Sequence, residues 1–414
     1  MRSASEVVEL AASARILARA HRVLRPRTPE EVAEGLAGAR AEGLGVVVMG
    51  GGRGLPPLAP ERPFLVLSTA ALSGIDVYEP GDLTFTAGAG TTLGDLEDRL
   101  GTEGQWLPLD PPGARERTLG GVVASGLGGP LQAGFGAVRD QVLGLMVVTG
   151  DGRILRLGGR VMKNVAGFDL VRLFVGSAGR LGVVVSASLR VFPRPQAQRV
   201  LLLEGAADGL PREELLQAAR AVSTAPVVPA AAVLLRRPAE EVLVIHLTGS
   251  EPVLDADQAR LEEAVGHDFR TAVHPERWVQ RMAGRIGADG AFGARHHGLP
   301  ASLPERWTAW VAAAPTATLH VDVLGGPLRA HLPPDAVDET VLGRLREMAR
   351  RDSAPVLFDA VPEGSEGLLE RQRWGTPVGG AESGGADGGA TALERRLQEV
   401  FDPHETLAPM EYAR

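Results

Sequence analysis

Three glycine-rich clusters are the residues whose types and spacing suit them to chemistry. Gly50-Gly51-Gly52-Arg53-Gly54 follows an apolar run, 46–49. Thr118-Leu119-Gly120-Gly121 with Ala124-Ser125-Gly126-Leu127-Gly128-Gly129 follows Asp110-Pro111-Pro112-Gly113. Gly176-Ser177-Ala178-Gly179-Arg180-Leu181-Gly182 leads into a β-branched run beginning at Val183. Glycines leave successive backbone N–H groups open to phosphate oxygens where side chains would block the approach. One glycine turn after a strand is more often structural than functional. Three of them between residues 50 and 182 point to one extended ligand contacted along its length. A Rossmann site would need a helix immediately after the first loop, its N-terminus receiving the pyrophosphate. Leu55-Pro56-Pro57-Leu58-Ala59-Pro60 stands there instead, and each interior proline costs a helix about 3 kcal/mol. What remains is an anion nest with no helix dipole behind it.

The elements that must position these loops follow from periodicity and punctuation. Val7, Leu10, Ala14 and Leu17 recur at helical spacing and predict an amphipathic helix over 5–24. Thr28 caps the next helix, with Pro29 at its first position and Glu31 three residues after the cap, and it ends near Gly43. Strands are expected at 46–49, 64–67 and 83–87, then a helix at 91–100 capped by Thr92. Strands at 144–149 and 154–157 flank the Asp151-Gly152 turn, a preferred hairpin sequence, and another spans 183–191. Pro193 and Pro195 mark a domain boundary, giving a first domain over 1–195. Beyond it, strands at 200–203, 242–247 and 317–324 and helices at 212–222, 256–265 and 338–350 predict an α+β second domain over 196–390. That domain includes a Gly-rich loop at 375–390, and a C-terminal segment, 391–414, opens with a helical pattern at 393–400.

Composition excludes several classes. The 414 residues carry a formal net charge of -8, without the basic field that phosphate-backbone binding needs, so nucleic acid is not an expected partner. There is no Cys, hence no disulfide, thiolate nucleophile or Cys-ligated cluster from this chain, and redox chemistry requires a borrowed cofactor. The N-terminal residues do not read as a signal peptide, and no apolar run approaches the roughly 18 residues of a membrane span. A cytoplasmic location is the expectation.

The run Gly120 to Pro130, then Val138-Arg139-Asp140 with Val142-Leu143-Gly144, then Val161-Met162-Lys163-Asn164-Val165-Ala166-Gly167-Phe168-Asp169-Leu170, and Val175-Gly176-Ser177 through Leu181-Gly182-Val183, resembles the FAD domain of the glycolate oxidase E-subunit family. That family belongs to the p-cresol-methylhydroxylase and vanillyl-alcohol-oxidase type of flavoproteins. The resemblance is dense over 44–195 and returns at Phe401-Asp402-Pro403 and Leu407-Ala408-Pro409, although Met410-Glu411 replaces the family's closing glycine-arginine. It implies an α+β fold: a two-subdomain FAD-binding domain of this type plus an α+β cap. It also implies that Gly50, Gly51, Gly52, Arg53 and Gly54, with Thr118, Leu119, Gly120 and Gly121, take the pyrophosphate. Ser125, Gly128, Gly182 and Val183 would adjoin the adenine, ribose or flavin edge. Some relatives hold FAD through a His beside the first loop; with no His between residues 22 and 245 and no Cys, attachment here is expected to be non-covalent.

The resemblance further implies two partners, a second FAD-binding subunit that performs the oxidation and an iron-sulfur subunit, with any membrane contact made indirectly through them at the inner membrane. Trp278, Trp307, Trp310 and Trp374 are candidate interface anchors, with cap core as the alternative. Lys163 could stabilise a reduced, anionic flavin or serve structure alone, and Asn164 sits beside it. His296-His297 and His320-Val321-Asp322 lack metal-ligand spacing, although His320 and Asp322 would share one strand face. The histidine-rich HxGDGNxH-like cap segment of active relatives is absent, so no catalytic base is named. Three readings stand: an FAD-binding subunit of a 2-hydroxy acid dehydrogenase, a stand-alone FAD oxidoreductase of another alcohol or hydroxy acid, and a scaffold without FAD.

Overall fold

The computed structural model describes residues 16–52, 62–159, 169–205, 209–238, 240–284, 292–352, 354, 356–360 and 387–407. Arg53, Gly54, Lys163, Asn164, Trp374 and the Gly-rich stretch up to residue 386 lie outside them.

Three larger sheets organise these residues, beside a two-stranded antiparallel pairing of β6 (Gln105–Trp106) with β10 (Phe192–Pro193). The first is parallel, β1 (Val23–Leu24), β3 (Phe64–Ser68) and β2 (Gly45–Met49), with helix α1 (Pro29–Ala41) laid against it. Thr28 caps α1 by accepting the Glu31 N–H at 3.2 Å, and Gly43, at φ +69°, turns the chain into β2. The expected N-terminal helix is corrected at its end: residues 16–19 are helical, but Val23 and Leu24 pair with Val66 and Leu67. Sheet pairing of Leu24 overrides helical periodicity there, and the expectation for residues 5–15 falls outside the described chain.

The second sheet is antiparallel, in the order β4 (Ile75–Glu79), β5 (Thr84–Gly88), β9 (Val183–Arg190), β7 (Val142–Val148), β8 (Ile154–Gly158). Gly152, at φ +90°, forms the turn between β7 and β8. One face of this sheet carries α2 (Leu93–Gly101), α3 (Leu119–Ser125) and the short helix α5 (Leu170–Phe174), with Leu96, Leu100, Val122, Val123 and Phe174 fully or almost fully buried beneath them. The other face meets α1 and the first sheet through Val32, Leu36, Val46, Leu65, Val148, Val183 and Val185. Each such side chain contributes roughly 1.5–3 kcal/mol by leaving water.

From Ala197 onward the chain builds an eight-stranded antiparallel sheet, in the order β14 (Arg270–Thr271), β11 (Ala197–Gly205), β13 (Glu240–Gly249), β12 (Ala231–Arg237), β16 (Thr318–Asp322), β17 (Leu328–Leu332), β15 (Phe292–His296), β18 (Val356–Ala360). Helices α6 (Arg212–Val222), α7 (Glu251–Val265), α9 (Leu303–Ala313) and α10 (Glu339–Arg351) cover one face, sharing a core that contains Leu215, Leu254, Trp307, Trp310 and Leu342. Trp307 and Trp310 are therefore cap core and not interface anchors, which corrects that use of them. Trp278, on α8 (Pro275–Ala283), is partly buried on the opposite face, with the Arg281 guanidinium 4.2 Å from its ring centroid.

After helix α11 (Asp387–Phe401) the chain returns to the first sheet. The Asp402 carboxylate accepts the Thr406 and Leu407 N–H groups, both at 2.8 Å, and the Thr406 carbonyl accepts the Val46 N–H at 2.8 Å. This seam braces β2, the strand that delivers the first glycine loop. Asp402→Ala removes both acceptors while leaving their buried donors unmet, so it should cost roughly 2–4 kcal/mol. A shift in the denaturant midpoint of unfolding measures it, and an unchanged midpoint contradicts the bracing role.

Candidate functional site

The three glycine clusters meet at one short helix. Thr118 caps α3, and its Oγ1 accepts N–H groups from Gly121 at 3.4 Å and from Gly51 at 3.3 Å, tying the second cluster to the first. At the other end of α3, the Val123 and Ala124 carbonyls accept the N–H groups of Gly176 at 3.0 Å and Ala178 at 2.7 Å, tying in the third. Gly126 ends α3 in the left-handed region, φ +63°, and a Cβ there would come within 3.2 Å of the Gly176 Cα. Sequence reading missed α3 because Gly120 and Gly121 are poor helix formers; Thr118 three residues before Gly121 was the cap signal available.

The glycines divide by what requires them. At Gly50 a Cβ would lie 2.3 Å from the Thr118 Oγ1, so the two loops touch only because that side chain is missing. Gly52 is buried with φ +74°. Gly120 makes room for Ala89, whose Cβ would stand 2.6 Å away, and its N–H goes to the Ala89 carbonyl at 2.8 Å. Gly182 is required by the Val148 carbonyl, 2.8 Å from its would-be Cβ. Gly128 has the Gln132 amide oxygen at 3.0 Å from the same construction. By contrast Gly51 and Gly121 are exposed, and a Cβ on Gly121 meets nothing closer than the Thr118 Oγ1 at 3.1 Å. Leu119 and Val183 are fully buried, backbone included: the Leu119 N–H goes to the Thr91 carbonyl and Val183 pairs with Val148 in the sheet. Ser125 is engaged locally, its Oγ donating to the Val122 carbonyl and accepting the Leu127 N–H, both at 3.3 Å. A side-chain-free surface over Gly51 and Gly121, beside the start of α3, suits close approach of an anionic ligand.

The second part of the site lies on the cap. Register places His320 opposite Arg329 and Thr318 opposite His331, while Arg329 faces Arg295 on the next strand. Alternation puts His320 and Asp322 of β16 and Arg329 and His331 of β17 on the sheet face away from the helix-covered core. The other half of that face is apolar, Val233, Leu235, Val242 and Val244 under Met282 and Trp278. The polar half is turned to the first domain: Arg329 donates to the Gly128 carbonyl at 3.4 Å, and the Gly134 N–H donates to the Ala230 carbonyl at 3.3 Å.

Burial shifts the titratable groups where the cap meets the first domain. Burial pushes the Asp110 carboxyl up to about 7, opposed by the Leu131 N–H, which donates to its Oδ1 at 3.0 Å, and by Arg329. Burial also raises Asp322 to about 6, against the Leu324 N–H at 2.9 Å and Arg329. His320 falls to about 3 and His331 to about 4, from burial first and from Arg329. The His320 Nε2–H donates to the Met282 carbonyl inside the cap, which leaves the Arg329 guanidinium to attract an anion and the Asp110 and Asp322 carboxyls to hold or release a proton near neutrality. Sequence reading noted His320 and Asp322 but missed Arg329 and His331; the alternation of Leu328, Ala330 and Leu332 with these two polar residues was the signal. His296 is no metal ligand, its Nδ1 accepting the Trp310 Nε1–H at 3.2 Å in the cap core. Among the described residues no group of His, Asp and Glu could hold a metal ion.

Residues 20–158 match the family model described as FAD binding domain. The chain is 52% identical over 132 residues to glycolate oxidase subunit GlcE of Escherichia coli K12, covering 32% of this chain and 38% of that protein. It is 37% identical over 182 residues to D-lactate dehydrogenase of Archaeoglobus fulgidus, covering 44% and 41%. The chain thus spans about two-fifths of the length of these relatives. In fold it is similar to p-cresol methylhydroxylase with substrate bound, with a TM-score of 0.70 at 13% identity over 98% of this chain and 95% of that one. The α+β architecture is that of the p-cresol-methylhydroxylase type.

The division of glycines generates a paired prediction. Gly121→Leu should change the melting temperature little and weaken FAD binding about tenfold or more, because apart from a slight give at the Thr118 Oγ1, 3.1 Å from its Cβ, it fills exposed surface. Gly120→Ala should instead lower the melting temperature by several degrees through its clash with Ala89, about 1–3 kcal/mol of overpacking. Thermal melts with FAD titration of each variant decide it; intact FAD affinity in Gly121→Leu contradicts the assignment.

Proposed function

Because residues 20–158 are an FAD-binding domain and FAD is the cofactor they serve, we propose that the protein is an FAD-binding subunit of a glycolate-oxidase-like 2-hydroxy acid dehydrogenase complex. The observation that carries this reading is the convergence of three glycine loops on α3, with Gly51 and Gly121 exposed side by side on the Thr118 hydroxyl. Gly50 to Gly54 and Thr118 to Gly121 hold the pyrophosphate by backbone approach. Ser125, Gly128, Gly182 and Val183 adjoin the adenine, ribose or flavin edge. The chain lacks Cys and lacks His between 22 and 245, so FAD is held without a covalent bond.

FAD supplies two-electron redox chemistry when bound. The chain's own part is to seat it between the glycine loops and the cap. Arg329 supplies positive charge where the cap meets the first domain. The partners on this reading are a second FAD-binding subunit that carries out the oxidation and an iron-sulfur subunit that passes electrons on. The similarity to glycolate oxidase subunit GlcE supports the subunit role. Among the described residues no helix is long and apolar enough to cross a membrane. A cytoplasmic site, peripheral at the inner membrane through partners, fits this reading.

A stand-alone FAD oxidoreductase is the second reading, and the titratable Asp110 and Asp322 where the cap meets the first domain favour it. The two readings separate in one experiment. The purified chain should be yellow and should release all its FAD on acid denaturation. Anaerobic glycolate or D-lactate should leave the flavin band unbleached on a catalytic timescale, and co-expression with the two partner subunits should yield a stable heteromer. Rapid stoichiometric bleaching of the chain alone moves the assignment to the stand-alone enzyme, and a colourless chain that FAD does not reconstitute contradicts both.

A further inference from the structure

One turn of the first domain is held from two sides by residues outside the glycine clusters. Residues 128–131 follow α3 directly. From below, the Asp110 Oδ1 accepts the Leu131 N–H at 3.0 Å, and Gly129 packs so closely on residue 110 that a Cβ would stand 2.0 Å from the Asp110 carbonyl and 2.1 Å from its Oδ1. From above, Arg329 of cap strand β17 is buried and reaches the Gly128 carbonyl at 3.4 Å. Asp322 of the neighbouring strand sits on the same guanidinium's field and is itself anchored by the Leu324 N–H. Gly326 completes the fit, since a Cβ there would lie 2.5 Å from the Asp322 Cβ.

We propose that Asp110 and Arg329 are positioning residues that grip the 128–131 turn from opposite domains and so couple the seating of the cap to the seating of FAD. This rests on the FAD-binding reading above. The physical argument is that Gly128 belongs to the segment running out of α3, the helix on which all three glycine loops converge. Pulling the turn toward the cap or releasing it changes where α3 ends. A two-sided grip has a property that independent contacts lack: each jaw works only while the other is closed. Removing either one frees the turn, and removing the second then changes little. By reciprocity, FAD that favours the closed turn also favours the docked cap.

Burial of Asp110, which lifts its carboxyl to about 7, makes asparagine a fair substitute for the neutral acid, with an oxygen still able to accept the Leu131 N–H. The test is a double-mutant cycle read by FAD affinity, measured by flavin fluorescence on the full chain, with unfolding melts run separately. Asp110→Ala and Arg329→Met should each weaken FAD about tenfold, within the usual range of coupling between sites. The double variant should be nearly as strong a binder as the weaker single variant. Asp110→Asn should restore most of the lost affinity. If Arg329→Met does not fold, Arg329→Lys takes its place, with a shorter reach to the Gly128 carbonyl and the same non-additivity expected. Wild-type affinity in the arginine variant, or fully additive losses, overturns the grip while leaving the FAD reading intact. A wild-type chain that binds no FAD at any concentration tested overturns both.

Discussion

The Thr118 hydroxyl stands where a side chain at residue 50 would have to be. That single exclusion lets β2's outgoing loop touch the cap of α3, and it organises the first domain. The hydroxyl accepts from Gly51 and from Gly121, so one oxygen closes the strand-to-loop turn and starts the helix. The far end of α3 then fixes the third loop through carbonyls 123 and 124. The bracing behind this point comes from distant sequence. β2 is backed by the C-terminal seam around Asp402, and α3 is seated on Ala89 through the glycine at 120.

The cap obeys a different constraint. A sheet whose two faces meet different surroundings must carry different residues on alternate positions. β16 and β17 put leucine, valine and alanine toward the helices and His320, Asp322, Arg329 and His331 on the other face, where Arg329 reaches the first domain and His320 bonds the Met282 carbonyl within the cap. Burying that polar set depresses the imidazoles and raises the carboxyls, with the Arg329 guanidinium opposing the rise at Asp322. Where the cap meets the first domain, the Arg329 guanidinium reaches the Gly128 carbonyl.

Much of the first domain was legible because its signals are local. Thr28 and Thr92 are caps in the structure, Asp151-Gly152 is the hairpin turn, and strands 46–49 and 64–67 differ from those observed by one residue. Strand β4 was missed because its alternation is weak and it lies at a sheet edge. In the cap, β12 was missed because Ala230, Ala231 and Ala232 suggest helix, and only pairing to β13 and β16 makes them strand. The glycine loops were recognisable as a set. Which glycines serve packing and which leave an open surface was not, since that depends on Ala89, Val148 and Thr118, partners at separations that periodicity does not report.

The central claim is that the three loops form one ligand surface on α3. Hydrogen exchange of the backbone amides, with and without saturating FAD, tests it most directly. The account predicts that segments 50–52, 118–126 and 176–179 gain protection together, at one FAD concentration and to a common extent of saturation. FAD binding that protects none of them, or one of them alone, would contradict it.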